Sequence, residues 1–359
     1  MIIKKKVGSA DNAMSILVLG GAGYIGSHTV YKLIEEGHDV VVADNLQTGH
    51  IEAVHPKVRF YEGDIRDRKF LDELFDKEHA AGTTNGGQKI DGVIHFAANS
   101  LVAESMREPL KYYENNLYGT MVLLGVMVDH GISNLVFSST AAVYGEPSPD
   151  KIPILEDAPT RPKNVYGETK LAMEKMIEWT AKAHGLNYVA LRYFNACGAL
   201  DLTGSGCESF MIGEAHDPET HLIPLVLQVP NGKRESISVF GDDYPTADGT
   251  CIRDYIHVMD LAQAHVLSMK YLLNDGDSDV FNLGNGRGFS VAKIIEHARH
   301  VTGHPIPAVI EPRRAGDPAV LVASNEKAHK ILGWQPEYTD IEDIIRTAWQ
   351  WHENHPDGY

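Results

Sequence analysis

Tyr166 and Lys170, four residues apart, carry side chains that together could transfer a proton. The run from Asn164 to about His184 is predicted to be a helix, so the two side chains share one face of it. A phenol, whose unperturbed pKa is about 10, must be stabilised as the phenolate to act as a base near neutral pH. A neighbouring ammonium group favours the phenolate. Because Tyr-x-x-x-Lys pairs also occur by chance, the interpretation depends on the elements around this helix.

A predicted strand that ends in hydroxyl side chains comes before this helix. Residues 135–140, Leu-Val-Phe-Ser-Ser-Thr, are apolar at first and end at Thr140. Ligands of open parallel sheets bind beyond the carboxyl ends of the strands. We therefore expect Thr140 to hydrogen-bond a substrate hydroxyl and orient it. The alternative is that these hydroxyl residues simply form a turn.

A glycine-rich turn lies near the start of the chain, between a short apolar run and a helical pattern. Residues 16–19 are predicted to form a buried strand and residues 24–36 a helix. Between them lie Gly20, Gly23 and Gly26, whose missing Cβ atoms permit a tight turn and the close approach of a pyrophosphate to backbone N–H groups. The amino end of the helix adds unpaired N–H groups and a positive dipole. The turn therefore predicts a dinucleotide site.

An acidic residue at the end of the next predicted strand indicates which dinucleotide binds. Asp44 follows the apolar residues 40–42 and lies 18 residues beyond Gly26. That spacing is close to the value of about 20 expected for the acid that hydrogen-bonds a ribose. Because a carboxylate there would repel a 2′-phosphate, we predict NAD rather than NADP.

Charge and composition argue against several other classes of protein. The chain of 359 residues has a formal net charge of −17, which argues against a nucleic-acid or anionic-membrane partner. No apolar run reaches the roughly 18 residues needed to span a bilayer. The scattered Cys197, Cys207 and Cys251 fit a reducing compartment and a cytoplasmic location. His216 and His221 are close in sequence, but no further ligands accompany them, so we interpret them as loop histidines and predict no metal.

The order of the elements predicts an α/β protein with a Rossmann-type, doubly wound parallel sheet. Residues 14–196 are assigned to this NAD-binding domain. Residues 197–359 are assigned mainly to a smaller, mixed α/β substrate-binding domain, with some segments returning to the first domain. Residues 1–13 are predicted to be an N-terminal extension, and residues 80–89, which include three glycines, a flexible surface insertion.

The glycine turn, the hydroxyl-bearing strand end and the Tyr-x-x-x-Lys pair together resemble the extended short-chain dehydrogenase/reductase family. Within that family, the chain closely resembles the enzymes that epimerise UDP-hexoses at C4. Matching stretches include GGAGYIGSH at 20–28, EGDIRD at 62–67, HFAA at 95–98, YYENN at 112–116, FSSTAAVYG at 137–145, LRYFNACGA at 191–199, DYPTADGTCIRDYIHVMDLA at 243–262, FNLGNG at 281–286 and EPRRAGD at 311–317. The similarity covers essentially everything from Met14 to the end except the insertion.

The resemblance implies that NAD is a resident cofactor and that a UDP-sugar is the substrate. Tyr166 would remove the proton of the hexose 4-hydroxyl while hydride passes to the nicotinamide. The 4-keto sugar would then turn and take the hydride back on its other face, so that no NAD is consumed. Such an enzyme must hold the nucleotide tightly and the hexose loosely. Members of the family commonly form homodimers through the two long helices, here near residues 110–130 and 164–184.

The resemblance also carries roles over to individual positions. The implied catalytic residues are Thr140, Tyr166 and Lys170. The predicted cofactor-binding residues are Gly20, Gly23, Tyr24, Ile25, Gly26, Asp44, Asn45, Thr48, Gly49, Asp64, Ile65, Phe96, Ala97, Ala98, Ser100, Asn115, Tyr166, Lys170 and Phe194. The predicted substrate-binding residues are Thr140, Tyr166, Asn195, Leu222, Phe240, Arg253, Arg314 and Asp317. For Asp64, the residues alone leave a second interpretation open, a cap for the helix that starts near Asp67.

The chain departs from the family pattern at two positions. Thr140 stands where members often carry Ser, and because the hydroxyl is kept we expect its role to be kept. Val320 stands where many members carry a bulky Tyr. We predict that the smaller side chain widens the hexose pocket enough for an N-acetyl group.

Other functions compete with C4 epimerisation of UDP-glucose and UDP-galactose. Another NAD-dependent nucleotide-sugar epimerase would fit the same residues. A nucleotide-sugar 4,6-dehydratase would need carboxyl groups beside Thr140, where this chain has Ala141 and Ala142. A non-catalytic NAD-binding regulator would not need Tyr166 and Lys170. A simple alcohol dehydrogenase fits the three catalytic residues, and only the resemblance of the second domain argues against it.

Overall fold

The computed structural model describes residues 13–84, 89–200, 211–314 and 317–359. Residues 1–12 of the predicted extension and residues 85–88 of the predicted insertion lie outside the described residues. Ala80–Thr84, which we assigned to the insertion, instead continue a helix that begins at Arg68. The sequence prediction was wrong there because it ended this helix at residue 79.

The strands are β1 (Ser15–Leu19), β2 (Asp39–Asp44), β3 (Arg59–Glu62), β4 (Gly92–His95), β5 (Asn134–Thr140), β6 (Asn187–Tyr193), β7 (Asn195–Cys197), β8 (Ile237–Phe240), β9 (Ile252–His257), β10 (Asp279–Leu283), β11 (Gly288–Ser290), β12 (Ala308–Glu311) and β13 (Val320–Leu321). The α-helices are α1 (Tyr24–Glu35), α2 (Arg68–Thr84), α3 (Val102–Ser105), α4 (Pro109–Tyr112), α5 (Gly119–Asp129), α6 (Val165–His184), α7 (Leu222–Leu227), α8 (Val258–Leu273), α9 (Val291–Thr302), α10 (Glu326–Leu332) and α11 (Ile341–Asn354). A π-helical turn, Tyr113–Tyr118, joins α4 to α5.

The central sheet has seven strands in the order β3-β2-β1-β4-β5-β6-β10. Every pairing within it is parallel. The chain leaves β1 toward β2 on one side and later returns to β4 on the other, which creates a crevice beyond the carboxyl ends of β1 and β4. The predicted Rossmann-type, doubly wound sheet is therefore confirmed.

Alternating side chains of β1 explain why its sequence is apolar throughout. Ile16 and Val18 face one hydrophobic cluster, which includes residues of α1 and α8. Leu17 and Leu19 face the other, which includes residues of α2, α5 and α6. A strand covered by helices on both faces has no polar side, so a continuous apolar run is required. Burial on both faces fixes the end of β1, and with it the glycine turn.

Short strands from β7 onward, with the exception of β10, form two smaller sheets beside the central one. In one of them β9 lies between β11 and β13 and also pairs with β7. In the other, β8 pairs with β12. Helices α7, α9 and α11 contribute to the hydrophobic cluster of this lobe. By contrast, β10 and α8 belong to the central sheet and its helical layer.

Within the described ranges, we find no helix both long and apolar enough to cross a membrane.

Candidate active site

A cavity of about 470 Å³ opens beyond the carboxyl ends of the central strands. Its lining includes the glycine turn, the ends of β2 and β5, the first turns of α6, and residues from the second lobe such as Arg253 and Asp317. A ligand there would contact both lobes. This is the position that the sheet topology predicts for a bound nucleotide.

The glycine turn is held by close backbone contacts. Gly20 has φ +80°, and a Cβ added to it would lie 2.6 Å from the nitrogen of Ala97. A Cβ at Gly26 would lie 2.1 Å from the carbonyl oxygen of Gly20. At Gly23, in contrast, the nearest atom would be that same oxygen at 3.4 Å, an ordinary contact. Gly20 and Gly26 therefore serve the turn itself, while Gly23 leaves room on the cavity side.

Asp44 ends β2 beside this turn. Its carboxylate accepts hydrogen bonds from the backbone nitrogens of Ala22 at 3.0 Å and Leu46 at 2.9 Å. Burial raises the pKa of Asp44, while these hydrogen bonds oppose the rise. The side chain is fixed at the cavity wall, where a ribose hydroxyl could donate to it.

Nearly all the predicted cofactor-binding residues line the cavity. They are Gly20, Gly23, Tyr24, Ile25, Gly26, Asp44, Asn45, Thr48, Gly49, Ile65, Phe96, Ala97, Ala98, Ser100, Asn115, Tyr166, Lys170 and Phe194. Asp64 does not line the cavity, although its neighbours Gly63 and Ile65 do. Its carboxylate accepts from Arg66 and from the side-chain amide of Asn45, and the Arg66 hydrogen bond lowers the pKa of Asp64 to about 2. Its predicted contact with the cofactor stays a prediction.

The capping alternative for Asp64 is not what the structure has. The backbone nitrogen of Phe70, in the first turn of α2, donates to the side chain of Asp67 at 3.2 Å. Asp67 therefore caps α2. The carboxylate of Asp64 instead accepts from the backbone nitrogen of Arg66, which stabilises the turn before the helix.

Thr140, Tyr166 and Lys170 all line the cavity. Asn164 fixes the start of α6, because its side chain accepts from the backbone nitrogen of Gly167 at 2.8 Å. This cap sets the direction in which Tyr166 and Lys170 point. Thr140 is the last residue of β5 and hydrogen-bonds the hydroxyl of Tyr166. The structure brings the three residues together as predicted.

Burial controls the ionisation of the two titratable members of this group. Loss of water around the hydroxyl raises the pKa of Tyr166 to about 12, although the hydrogen bond with Thr140 opposes the rise. Burial lowers the pKa of Lys170 to about 7, with the charge of Glu174 opposing. Burial disfavours the charged form of each group taken alone, whereas an ammonium and a phenolate side by side favour each other's charged forms. The positive nicotinamide ring of NAD⁺ would favour the phenolate.

A buried layer of polar groups supports Lys170. Glu174, one helical turn further along α6, forms an ion pair of 2.6 Å with Arg192 of β6. Ser139 of β5 also donates to Glu174. Because both charges of the pair are buried and paired, this part of α6 is fixed to the sheet.

The π-helical turn contributes Asn115 to the cavity wall. Its neighbour Asn116 accepts from the backbone nitrogen of Asn99 at 2.8 Å and donates to the hydroxyl of Thr169 at 3.1 Å. These bonds connect the loop after β4 to α6. They fix the position of this part of the cavity wall relative to α6.

Apart from Thr140 and Tyr166, which line the cavity, the predicted substrate-binding residues divide into two groups. Asn195, Arg253 and Asp317 line the cavity, and a nitrogen of Arg253 lies 3.7 Å from a carboxylate oxygen of Asp317. The other group, Leu222, Phe240 and Arg314, does not line it. The guanidinium carbon of Arg314 lies 3.8 Å from the ring centroid of Phe240. The contacts of this second group with a nucleotide stay predictions.

The prediction that Val320 widens the hexose pocket stays a prediction, and Val320 itself does not line the cavity. Leu321, the next residue, lines the cavity and packs near Val143 and Tyr144. Both residues belong to β13, where Val320 pairs with Ile252. Successive side chains of a strand point to opposite faces, so Leu321 faces the cavity and Val320 does not.

The cavity also contains residues that the sequence interpretation missed. Glu214, His216 and His221 line it, and Glu219 lies beside them. The statement that no further ligands accompany the two histidines was wrong, because two glutamates do. Burial lowers the pKa of His216, but hydrogen bonds to Glu214 and Glu219 outweigh it and raise that pKa to about 9. The spacing Glu-x-His-x-x-Glu-x-His was the signal that could have revealed the cluster.

Known proteins resemble this chain over nearly its whole length. It is 59% identical over 346 residues to the UDP-glucose 4-epimerase of Halalkalibacterium halodurans, a match that covers 96% of this chain and 98% of the relative. A UDP-glucose 4-epimerase from Brucella ovis, solved in complex with NAD, is 46% identical, with a TM-score of 0.86 and coverage of 94% and 98%. The enzyme from Bifidobacterium longum, solved with NAD⁺ and UDP, is 39% identical, with a TM-score of 0.86 and coverage of 96% and 100%.

The family model agrees with the geometry of the cavity. The model of the NAD dependent epimerase/dehydratase family matches residues 16–284. This range begins in β1, contains the glycine turn and the Tyr166 and Lys170 pair, and ends just after β10. The chain therefore belongs to the NAD dependent epimerase/dehydratase family.

Proposed function

We propose that this chain interconverts UDP-glucose and UDP-galactose at C4 of the hexose, with NAD as a bound cofactor. The observation that carries the proposal is the convergence of Thr140, Tyr166 and Lys170 on a cavity that begins at a dinucleotide-type glycine turn. The relatives named above are UDP-glucose 4-epimerases, including ones solved with NAD or with NAD⁺ and UDP. Nothing in the reaction requires a net oxidant or reductant.

The residues present fit NAD. The turn at Gly20 is closed against Ala97, and a Cβ at Gly23 would meet no atom nearer than 3.4 Å. The first-turn N–H groups of α1, which begins at Tyr24, have no acceptor within the helix and are available to a pyrophosphate. Asp44 would accept from the adenosine ribose. NAD, when bound, supplies a hydride acceptor that returns the same hydride.

The chain's own residues supply the proton chemistry. The phenolate of Tyr166 takes the proton of the hexose 4-hydroxyl as the C4–H bond breaks. Thr140, which hydrogen-bonds Tyr166, orients that hydroxyl. The ammonium of Lys170 stabilises the phenolate through its charge. When the 4-keto sugar has turned, Tyr166 returns the proton to the new 4-hydroxyl, which balances the reaction.

The lining of the cavity suits tight binding of the nucleotide and loose binding of the sugar. Arg253 supplies positive charge for the diphosphate, and Leu321 and Phe194 offer apolar contact without fixed hydrogen bonds. A firmly held hexose could not turn over between the two hydride transfers.

The test is to incubate the purified protein with UDP-galactose, without added cofactor, and to separate the sugar nucleotides by chromatography. We expect a stable mixture of UDP-galactose and UDP-glucose. Absence of conversion, even with NAD⁺ supplied, would reject the proposed substrates, and N-acetylated and uronic UDP-sugars would be tried next.

A 4,6-dehydratase is the nearest competing activity. Ala141 and Ala142 line the cavity directly after Thr140, and neither offers a carboxyl group to eliminate water. Formation of a stable 4-keto-6-deoxy sugar in the same chromatographic assay would nevertheless identify that activity.

We also propose that two copies of the chain pair through α5 and α6. Met121 and Trp179 are 53% and 67% exposed and line a shallow groove between these helices together with Leu124, Val128 and Met176. Large apolar side chains exposed together on one face mark an interaction surface. Light scattering should give the mass of a dimer, and Trp179→Glu should give a monomer. Ile310→Glu, at an exposed position of β12, is the matched control. A monomeric parent protein would reject the proposal.

A cytoplasmic location is proposed from the composition, because three scattered cysteines suit a reducing compartment. Cell fractionation with a specific antibody tests it. The boundary between domains near residue 196 is likewise a proposal, and limited proteolysis would test it.

A further inference from the structure

Glu214, His216, Glu219 and His221 form a compact group that the reaction does not use. One potential ligand atom from each residue lies within 4.8 Å of the others. Nδ1 of His221 lies 2.8 Å from an oxygen of Glu214 and 2.9 Å from one of Glu219. Nδ1 of His216 lies 3.2 Å and 3.6 Å from oxygens of the same two carboxylates. The four residues therefore alternate around a ring.

Hydrogen bonds from the two imidazoles cannot satisfy both carboxylates of this cluster. Each imidazole can carry only one proton on Nδ1, yet each Nδ1 faces two carboxylates. The side chains of Glu214 and Glu219 are only 5% and 6% exposed, so water gives them little help. One cation at the centre would be approached by a lone pair from all four residues at once.

The spacing of these atoms suits a small divalent ion. In a tetrahedral zinc site with bonds of about 2.0–2.1 Å, neighbouring ligand atoms lie about 3.3 Å apart. The four His–Glu distances, which involve one oxygen of Glu214 and both oxygens of Glu219, run from 2.8 to 3.6 Å and bracket that value. One ligand atom from each residue lies within 4.8 Å of the others, so a modest contraction would complete the site. Two imidazoles and two carboxylates are also a donor set that zinc accepts, and the two negative charges balance its own.

The cluster of four residues lies at the cavity wall, where a bound ion would fix part of that wall. All four residues come from one stretch of eight, and His221 directly precedes α7. The ring of His216 lies 6.2 Å from that of Tyr24, which follows the glycine turn. Ile212, just before the group, is fully buried against Leu200. An ion would join residues 216–221 to this buried start.

We propose that Glu214, His216, Glu219 and His221 bind one divalent transition-metal ion of the zinc class, which holds residues 212–221 as a wall of the cofactor cavity. Binding of the ion is independent of the proposed reaction. It can therefore be present or absent whichever sugar the enzyme uses.

The first experiment measures metal binding directly. The full-length protein is stripped with a chelator and titrated with Zn²⁺ against a chromophoric chelator, and separately with Co²⁺ in a spectrometer. We expect one equivalent of Zn²⁺, and for Co²⁺ the strong visible absorption of four-coordinate geometry. A stoichiometry near zero, or only the weak absorption of six-coordinate Co²⁺, would overturn the proposal without any variant.

Variants then locate the ion. His216→Asn and Glu219→Gln should each weaken Zn²⁺ binding by at least about 100-fold, because each removes a direct ligand, whereas losing a group that only supports a ligand costs about 10–100-fold. His300→Asn is the matched control, since His300 lies with His297 and Glu342 in an exposed group of similar composition. Undiminished affinity in both cluster variants, or a loss in the control, would overturn the assignment.

Backbone amide exchange distinguishes an ion that orders residues 212–221 from one that binds without structural effect. Backbone amide exchange of residues 212–221 should slow at least about 10-fold when Zn²⁺ is added to the stripped protein. The same measurement on the glycine turn should change little. Equal exchange with and without the ion would reject its role in holding the wall.

Discussion

The ammonium nitrogen of Lys170 donates a hydrogen bond of 2.8 Å to the main-chain carbonyl of Ser138. This bond anchors the side chain at the end of β5, with its nitrogen 6.0 Å from the ring centroid of Tyr166. At that distance the lysine acts on the phenol through its electric field. The effect of the lysine should therefore be visible mainly in the pH dependence of the reaction.

Replacing Lys170 with Met should move the rising limb of the pH profile to higher pH. The active base is the phenolate, so the rate increases as pH approaches the pKa of Tyr166. Loss of the ammonium raises that pKa, by on the order of one to two units for a charge about 6 Å away at an effective dielectric of about 20. The measurement is kcat/KM for UDP-galactose against pH. A profile that is merely scaled down, with its midpoint unchanged, would contradict an electrostatic role.

Tyr166→Phe should lower kcat by about 10²- to 10⁴-fold, the usual contribution of a positioned general base. The ring remains, so bound NAD, measured by absorbance after denaturation of the protein, should be retained. Tyr188→Phe, in β6 but outside the cavity lining, is the control and should keep full activity. Substantial activity in Tyr166→Phe would move the proton transfer to another residue.

The glycine turn offers two substitutions that should fail in different ways. Gly26→Ala places a Cβ 2.1 Å from a backbone oxygen that cannot move aside, so the free energy of unfolding should fall by about 1–3 kcal/mol. Gly23→Ala meets only an ordinary contact of 3.4 Å, so the fold should tolerate it, whereas the added methyl group narrows the space for a pyrophosphate. Thermal unfolding should show the loss of stability in Gly26→Ala, and NAD titration should show the weaker binding in Gly23→Ala. Equal losses of stability would contradict the geometry.

Leu321 should determine whether an N-acetyl group fits. We expect the parent chain to convert UDP-N-acetylglucosamine, and Leu321→Tyr to lower that activity roughly 10- to 200-fold relative to UDP-glucose, the range for small changes of pocket volume. Val320→Tyr is the matched control, because Val320 does not line the cavity. If the parent chain does not convert UDP-N-acetylglucosamine, the prediction is wrong.

His265 should make the fold sensitive to acid. Burial lowers its pKa to about 4, and its Nε2 has no hydrogen-bond partner among the described residues. The unfolded chain, with a pKa of about 6.5, binds more protons between pH 4 and 6.5, so stability is lost as pH falls through that window. The contribution between pH 7 and pH 5 is on the order of 2 kcal/mol.

Urea unfolding at several pH values tests this contribution. His265→Leu should lose less stability than the parent between pH 7 and pH 5. His329→Gln, at an exposed position of α10, is the control and should follow the parent. Identical slopes for all three proteins would show that His265 does not titrate as its environment implies.

The sequence predicted the central sheet well because each strand is encoded locally. β1 is buried on both faces, and a continuous apolar run followed by glycine leaves few alternatives. Tyr166 and Lys170 were also predictable, since their spacing on one helix depends on no distant contact. Asp44 was found for the same reason, by its place at a strand end.

The missed features depend on register and on chain folding. Val320 was named from the family resemblance, and Leu321 was not considered, because nothing local shows which residue of a two-residue strand lines the cavity. Glu214 and Glu219 are charged loop residues by sequence, and only the path of the loop brings them to His216 and His221. The insertion after residue 79 was misjudged because α2 runs on into a segment with weak helical preference.

The position of β10 in the central sheet has a consequence for synthesis on the ribosome. β10 pairs with β6, and α8 covers one face of the same sheet, although both come after strands of the second lobe. Until Leu283 has emerged, the nascent cofactor-binding half keeps an unpaired edge at β6 and an uncovered apolar face. A ribosome that pauses before this point would present a target for chaperones, and a gene cut between the two lobes would yield a fragment with the same exposed edge.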